Sequence, residues 1–410
     1  MFKNSNLAIL FFTMVVVMLG FGIIIPIMPF YIERFGAGGK ELGLMMAIFS
    51  IMQFLFSPIW GDLSDRYGRK PILLLGAFGN TISMVLFAAA PNMGWMFASR
   101  ALAGILSSAT MPTAMAFISD STSEKERGGG MGLIGAAMGM GMVLGPGLGG
   151  WMGSVSMSAP FYLAAGLSAL AMVLIFLILP ESLPKAKRIT AGGKIRGPQL
   201  RPMWQALFGP MGFLLFLAFL VNFGLANFEG IFGLYSKARY QYGPSEVGTI
   251  MTVIGVVSVI IQGALTGPAT RKLGEVNVIL LSLLGSAVGF ALMLFAEQFA
   301  VVLLTVGFFV FTNAMLRPVI ASLTSKMTQG GQGMALGLNN AFQSLGRVVG
   351  PLWAGFFFDW NINLPYSTAA VIMLVSFGMG LYWLRRGEVR VAGAPERPAM
   401  EAAASQTPGD

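Results

Sequence analysis

The sequence predicts an all-α integral membrane protein: twelve transmembrane helices in two pseudo-symmetric six-helix bundles. Three observations carry that expectation. The composition is 55% hydrophobic with only 10% charged residues and a mean hydropathy of +0.74, whereas a soluble globule carries about 25% charge. The apolar residues gather into twelve runs, each near the roughly 20 residues needed to cross a bilayer. Glycines and prolines recur halfway along the chain at nearly constant offset. With 410 residues divided among such spans and short loops, no room is left for a large soluble domain.

In chain order, the first run covers 6–32 and follows a short polar start. It is too long for a signal-peptide core and lacks a small-residue cleavage site, so it reads as the first span. Further runs at 41–60, 71–90, 95–119, 130–152 and 160–180 complete an N-terminal bundle, 1–180. The segment 181–206 sets Lys185, Lys187, Arg188, Lys194, Arg196 and Arg201 against the single acid Glu181 and is rich in Gly and Pro. It reads as a basic cytoplasmic linker. Runs at 207–235, 246–266, 276–296, 298–325, 333–358 and 366–384 form a C-terminal bundle, 207–386, and 387–410 lacks apolar periodicity and reads as a disordered cytoplasmic tail.

With the N-terminus inside, 19 of the 26 basic residues fall in the N-terminus, linker, tail and loops of that side. Four (Arg34, Lys40, Lys237 and Arg239) fall on the other, and three (Arg100, Arg317 and Arg347) lie within spans. The positive-inside rule therefore predicts both termini in the cytoplasm.

The repeat is specific. Gly61, Gly68, Gly79 and Pro112 recur as Gly267, Gly274, Gly285 and Pro318, each 206 residues later; Gly132, Gly141, Gly145, Pro146 and Gly150 recur as Gly337, Gly346, Gly350, Pro351 and Gly355, each 205 later. Glycine is frequent at 54 of 410, so one match means little, but nine in register indicate a duplicated six-span unit. Parallel repeats of this kind are the architecture of transporters that rock two halves about a midplane site.

Composition also excludes chemistries. The chain has no histidine and no cysteine, which removes imidazole relays, thiol nucleophiles, disulfides and the usual zinc ligands. No metal or cofactor is expected, nor an enzymatic activity, since the spans offer no nucleophile with a base. The expected partners are lipid and small molecules rather than nucleic acid, and the expected assembly is a monomer.

Several motifs resemble those of a known family. The turn GDLSDRYGRKP, from Gly61 to Pro71, resembles the signature of the major facilitator superfamily; the resemblance implies that Gly61, Asp65, Arg66, Gly68 and Arg69 form a charged latch at the cytoplasmic interface between halves. Its second copy, from Gly267 to Gly274, has Arg271 where the first has Asp65. The fifth run carries Gly132, Gly141, Gly145, Pro146, Gly149 and Gly150, a smooth face for close helix packing with a bend at the proline; the pattern is similar to the antiporter motif of drug exporters. Leu19, Gly20, Pro26 and Pro29 in the first run, and Arg100 with Gly104 in the fourth, resemble further exporter motifs. The nearest subgroup is the Nor/Bmr-type multidrug:proton antiporters. The resemblance implies efflux of lipophilic, cationic drugs in exchange for protons by alternating access, with the proton gradient as energy source and antibiotic resistance as the consequence. A tetracycline exporter, or a facilitator or uptake carrier for a neutral solute such as a sugar, is the alternative.

One residue stands out in the spans themselves. Of 17 acids, only Glu229 lies inside an apolar run. A charge at the centre of a span costs on the order of 2.5 to 3.5 kcal/mol and normally faces a cavity or a partner. A carboxyl group withdrawn from water keeps a proton more readily, so this side chain can exchange a proton for a cationic substrate as the cavity changes sides. Exchange of a monocation for one proton is electroneutral, so only the pH gradient would drive it. Arg100 and Arg317 are the accompanying candidates for proton coupling. The face Asn222, Ala226, Glu229 and Gly233, the face Asn340, Gln343 and Arg347, and the face Ser50, Gln53 and Ser57 follow helical spacing. From these, Asn222, Asn340, Gln343 and Arg347 are expected to bind substrate, with Phe228, Phe232 and Tyr235 as aromatic neighbours of the acid. Two departures from the subgroup matter: Ala314 stands where relatives often carry a second acid, and Arg347 where they often carry a neutral amide.

Overall fold

The computed structural model describes residues 3–188, 197, 200–209, 211–326 and 332–385. Twelve long helices dominate them: α1 Lys3–Glu33, α2 Gly39–Tyr67, α3 Arg69–Ala88, α4 Met93–Ser121, α5 Glu124–Val155 and α6 Ala159–Leu177, then α7 Gly212–Tyr240, α8 Pro244–Leu273, α9 Glu275–Met293, α10 Phe299–Lys326, α11 Gln332–Phe358 and α12 Leu364–Arg385. No strand occurs among the described residues. Eleven of the twelve are long and apolar enough to cross a membrane. The remaining one, α11, is 27 residues long, but Asn339, Asn340, Gln343, Ser344 and Arg347 dilute its apolar character.

Local chemistry sets the helix ends. The Asn92 side chain accepts the Trp95 N–H at 3.1 Å and starts α4. In both halves a glutamate three residues on accepts the N–H of the glycine before the helix: Gly38 to Glu41 at 2.9 Å before α2, and Gly243 to Glu246 at 3.0 Å before α8. Both helices end at a glycine with positive φ, +108° at Gly68 and +79° at Gly274, where a side chain would be strained and the chain must turn sharply into the next helix.

The repeated glycines pack alike in the two halves. A β-carbon on Gly79 would stand 2.1 Å from the Leu106 β-carbon, and one on Gly285 2.4 Å from Thr312. Gly145 of α5 lies against the Leu19 carbonyl of α1 as Gly350 of α11 lies against the Phe223 carbonyl of α7. Each substituent would clash, so the backbones approach at a distance only glycine allows.

The halves meet away from the linker. On that far side Lys237 pairs with Glu33, and Asp359, just after α11, accepts the N–H groups of Gly39 and Lys40 at the start of α2 at 2.9 and 3.0 Å. Gly43 abuts the Pro351 backbone, and Gly150 abuts Pro244. On the linker side of the same helices, a β-carbon on Gly132, Gly135, Gly263, Gly267 or Gly337 would meet nothing within 4 Å beyond its own stretch of helix. The molecule is closed on the far side and parts toward the linker.

Two sequence expectations need adjustment. The linker contains a short helix, Leu200–Leu207, which buries Met203 and exposes Trp204. The seventh span begins at Gly212 rather than at 207, because Gly209 and Pro210 interrupt the apolar run. The tail 387–410 and the linker bases Lys194 and Arg196 lie outside the described residues.

Candidate functional site

Between the halves lies a cavity lined by α1, α2, α4, α7 and α11. Phe21, Ile24, Ile25, Met28, Met46 and Phe49 form its apolar wall; Ser50, Arg100, Glu229 and Arg347 are its polar groups, with Ala226 and Pro351 between them. Such a lining of flexible thioethers and ring faces around a few polar groups suits varied apolar ligands.

Glu229 reaches the cavity because α7 packs closely on both sides of it. Gly230 lies against Pro351 of α11 and Gly233 against Pro29 of α1, which leaves the carboxylate half-buried at the crossing. It makes no ion pair or hydrogen bond among the described residues, although the charges of Arg317 and Arg347 both act on it. Arg347 donates to the Ser344 hydroxyl at 3.2 Å. Arg317 donates to Gln343 at 3.4 Å and does not line the cavity. Arg100 is buried, with its guanidinium carbon 5.1 Å from the Phe49 ring centre and 5.3 Å from that of Phe87.

The other expected substrate-binding residues are placed differently. Phe228, Phe232 and Tyr235 are fully buried in an aromatic core with Phe290, Phe309 and Tyr366, away from the cavity. The reason is geometric: at about 100° per residue they lie some 60 to 120° around α7 from Glu229. Asn222 is buried under α11, donates to the Ala218 carbonyl at 3.1 Å, and would meet a β-carbon on Gly346. Gln343 is spent on Arg317. Asn340 is exposed on the helical face of Arg347, two turns nearer the linker side, outside the cavity proper. Ser50 lines the cavity, and Gln53 and Ser57 continue that face half-buried toward the linker side.

The charged turn after α2 is clasped within the first six helices and the start of the linker. Arg69 pairs with Asp65 and with Asp120 at 2.9 Å, and donates to the Ser64 hydroxyl at 2.7 Å. Glu181 accepts the Arg69 N–H at 2.8 Å. Arg66 pairs with Asp62 at 2.8 Å. A β-carbon on Gly61 would stand 4.0 Å from the Pro112 β-carbon, and one on Gly68 would clash with Glu181. These bonds run within the first half rather than between halves, as follows from the parting of the two on this side. In the fifth span Gly141, Gly145 and Gly149 pack on α1, while Gly150 and the carbonyl of Pro146 meet Gly248 of α8; a β-carbon on Gly132 would point into open space.

The apolar wall from α1 and α2 was not singled out by sequence pattern, since an apolar residue facing a cavity looks the same as one facing lipid. The exporter-like segment from Leu19 to Pro29 was its one trace.

A family model described as Major Facilitator Superfamily matches residues 10–266 and 214–407. The chain belongs to the Major Facilitator Superfamily. It is therefore a multi-pass membrane transporter of that superfamily. Multidrug resistance protein 1 of Bacillus subtilis is 34% identical over 93% of this chain and 97% of its own length; multidrug resistance protein 2 of the same organism is 32% identical, covering 93% and 96%. The quinolone resistance protein NorA of Staphylococcus aureus is 32% identical, covering 90% and 94%. Among solved structures, the nucleoside transporter NupG superposes with a TM-score of 0.77 at 14% identity, over 93% of this chain and 100% of that one. A bacterial homologue of the human lysosomal transporter Spinster, in an inward-facing conformation, superposes with a TM-score of 0.76 at 13% identity, over 94% and 97%. At those identities the likeness is one of fold.

Proposed function

We propose that this superfamily member is a multidrug exporter: it moves lipophilic cationic molecules out of a bacterial cell, across the inner membrane, in exchange for protons, by alternating access. It resembles multidrug and quinolone resistance proteins over nearly its whole length. The observation that carries the reading is Glu229, a half-buried carboxylate on the wall of the central cavity with no ion pair or hydrogen bond among the described residues. Substrate ammonium and proton would compete for it, so each binding event displaces the other. In the proposed orientation the linker and both termini face the cytoplasm, which makes the present conformer open to the cytoplasm.

The carrier acts as a monomer with no cofactor beyond the proton gradient. Arg317, which donates to Gln343 behind the cavity wall, and Arg100, which lines the cavity, are the accompanying residues of proton coupling in this reading. The test is Glu229→Gln in proteoliposomes energised by a pH gradient. A charged hydrogen bond is worth about 1.5 to 3 kcal/mol, so efflux of a cationic dye is expected to fall by about 10- to 100-fold at unchanged protein level. Retained gradient-driven efflux would overturn the mechanism.

A further inference from the structure

The linker helix Leu200–Leu207 has two faces of different kinds. At about 100° per residue, Met203, Ala206 and Leu207 share one side. That side lies on the linker-side ends of α7 and α11, with Met203 buried beside Leu215 and Phe342. Arg201, Trp204, Gln205 and Phe208 share the opposite side, and all four are exposed. Trp204 is 67% and Phe208 75% exposed, with their rings edge to face at 5.5 Å. Only Phe208 to Met211 separate this helix from Gly212, where α7 begins. At the mouth of a span lies the boundary between acyl chains and headgroups, where tryptophan is favoured and a helix with an apolar side and a basic residue rests in the plane of the surface.

The charge around the helix has one sign. No acid occurs between Glu181 and Glu229. Glu181 itself is engaged: it accepts the N–H groups of Arg69 and Leu183 at 2.8 and 3.0 Å and pairs with Arg188 at 3.6 Å. Lys185 and Arg201 are exposed and make no ion pair among the described residues. The outer side of the helix is therefore aromatic and cationic together. A neutral leaflet would take the rings alone, whereas an anionic one takes the rings and Arg201.

We propose that the linker helix is a membrane-surface anchor that docks on anionic phospholipid, with Trp204 and Phe208 at the acyl boundary and Arg201 among the headgroups. The inference goes beyond the transport reading and does not depend on what the cavity carries. Because the inner side of the helix rests on α7 and α11, docking ties the linker-side ends of both to the leaflet.

The chain has no cysteine, so Gln205→Cys places a single nitroxide label on the outer side of the helix in the full-length protein. The measurement is its collision rate with a neutral, water-soluble nickel chelate, in nanodiscs of phosphatidylcholine with or without phosphatidylglycerol. Collisions are expected to fall as phosphatidylglycerol is added and to recover in high salt, which screens the attraction. In the phosphatidylglycerol discs Arg201→Gln should lower the ratio of docked to undocked helix about fivefold and Arg201→Glu about 25-fold, the first removing one basic charge near the surface and the second reversing it. Trp204→Ala combined with Phe208→Ala should abolish the protection in every lipid. Protection that is the same in both lipids, or that Arg201→Glu leaves unmoved at low salt, overturns the proposal. Protection by free glycerol phosphate in neutral discs overturns it in favour of a phosphate site, and protection that follows the number of protein copies per disc overturns it in favour of a second copy of the chain.

Discussion

Arg100 is held in a way that a lysine could not reproduce. Its planar guanidinium sits over two ring faces, Phe49 from α2 and Phe87 from α3, and so ties three helices of the first half at the cavity wall. A desolvated cation–π contact is worth about 2 kcal/mol, and a lysine ammonium concentrates its charge on one strongly hydrated point. Arg100→Lys is therefore expected to cost the solubilised protein about 2 kcal/mol, read as a lower melting temperature in a fluorescence-detected chromatography assay; an unchanged melting profile would mean that the ring contacts contribute nothing. Glu229 was legible in the sequence because one acid in an apolar run costs too much to be incidental. Its aromatic neighbours misled because adjacency along a helix is not adjacency in space, and the rotation of 60 to 120° that carries Phe228, Phe232 and Tyr235 into the core can be computed only once one face is known to meet the cavity. Arg317 and Arg347 were visible as intramembrane charges, but only the fold shows that the second lines the cavity while the first sits behind it.

At the level of helices, α5 is two-sided, and its glycines do different things on each side. Gly141 packs on the backbone of α1 inside the first half, whereas Gly150 packs on Pro244 and Gly248 of α8 in the second half. A methyl group at either place would clash, yet the consequences differ. Gly141→Ala strains a contact inside one half and is expected to reduce the amount of folded protein. Gly150→Ala strains a contact between the halves on the closed far side; if alternating access parts the halves there, overpacking of about 1 to 3 kcal/mol would shift the two-state equilibrium by roughly 5- to 150-fold toward the opposite conformer. Electron–electron resonance distances between spin labels at the linker-side ends of α5 and α8 are expected to shorten in Gly150→Ala. Asp359 belongs to the same seam: its carboxylate receives two N–H groups at the positive end of α2, and Asp359→Asn, which keeps the shape and removes the charge, should shift those distances the same way by a smaller amount, about 1 kcal/mol. The repeat offsets of 205 and 206 revealed that these glycines matter in pairs. They did not reveal which members pack within a half and which between halves, since spacing along one helix is silent about the partner. The composition of α11 shows the opposite case, where polar residues that weaken its appearance as a span are those that face the interior.

The whole molecule presents one closed and one open end, and that asymmetry makes a claim about which solution reaches the cavity. Met46 lines the cavity from α2, Asn340 is exposed on the linker side of α11, and the far side is sealed by the Glu33–Lys237 pair, Asp359 and the glycine contacts at Gly43 and Gly150. The chain contains no cysteine, so a single introduced thiol reports one position with no background. Met46→Cys and Asn340→Cys are expected to react with a membrane-impermeant maleimide in inside-out vesicles, where the linker side faces the reagent. In intact cells Met46→Cys should react at least about tenfold more slowly, the factor set by each 1.4 kcal/mol by which the far-side contacts favour this conformer. Adding a transported cation together with a pH gradient should narrow that difference, because turnover exposes the cavity to the outside in every cycle. Loosening the seal with Glu33→Gln should narrow it without substrate. Equal rates from both sides for unmodified seal residues would mean that the contacts gathered on the far side do not hold it shut, and faster reaction in intact cells would place the linker outside and invert the orientation on which the direction of export depends.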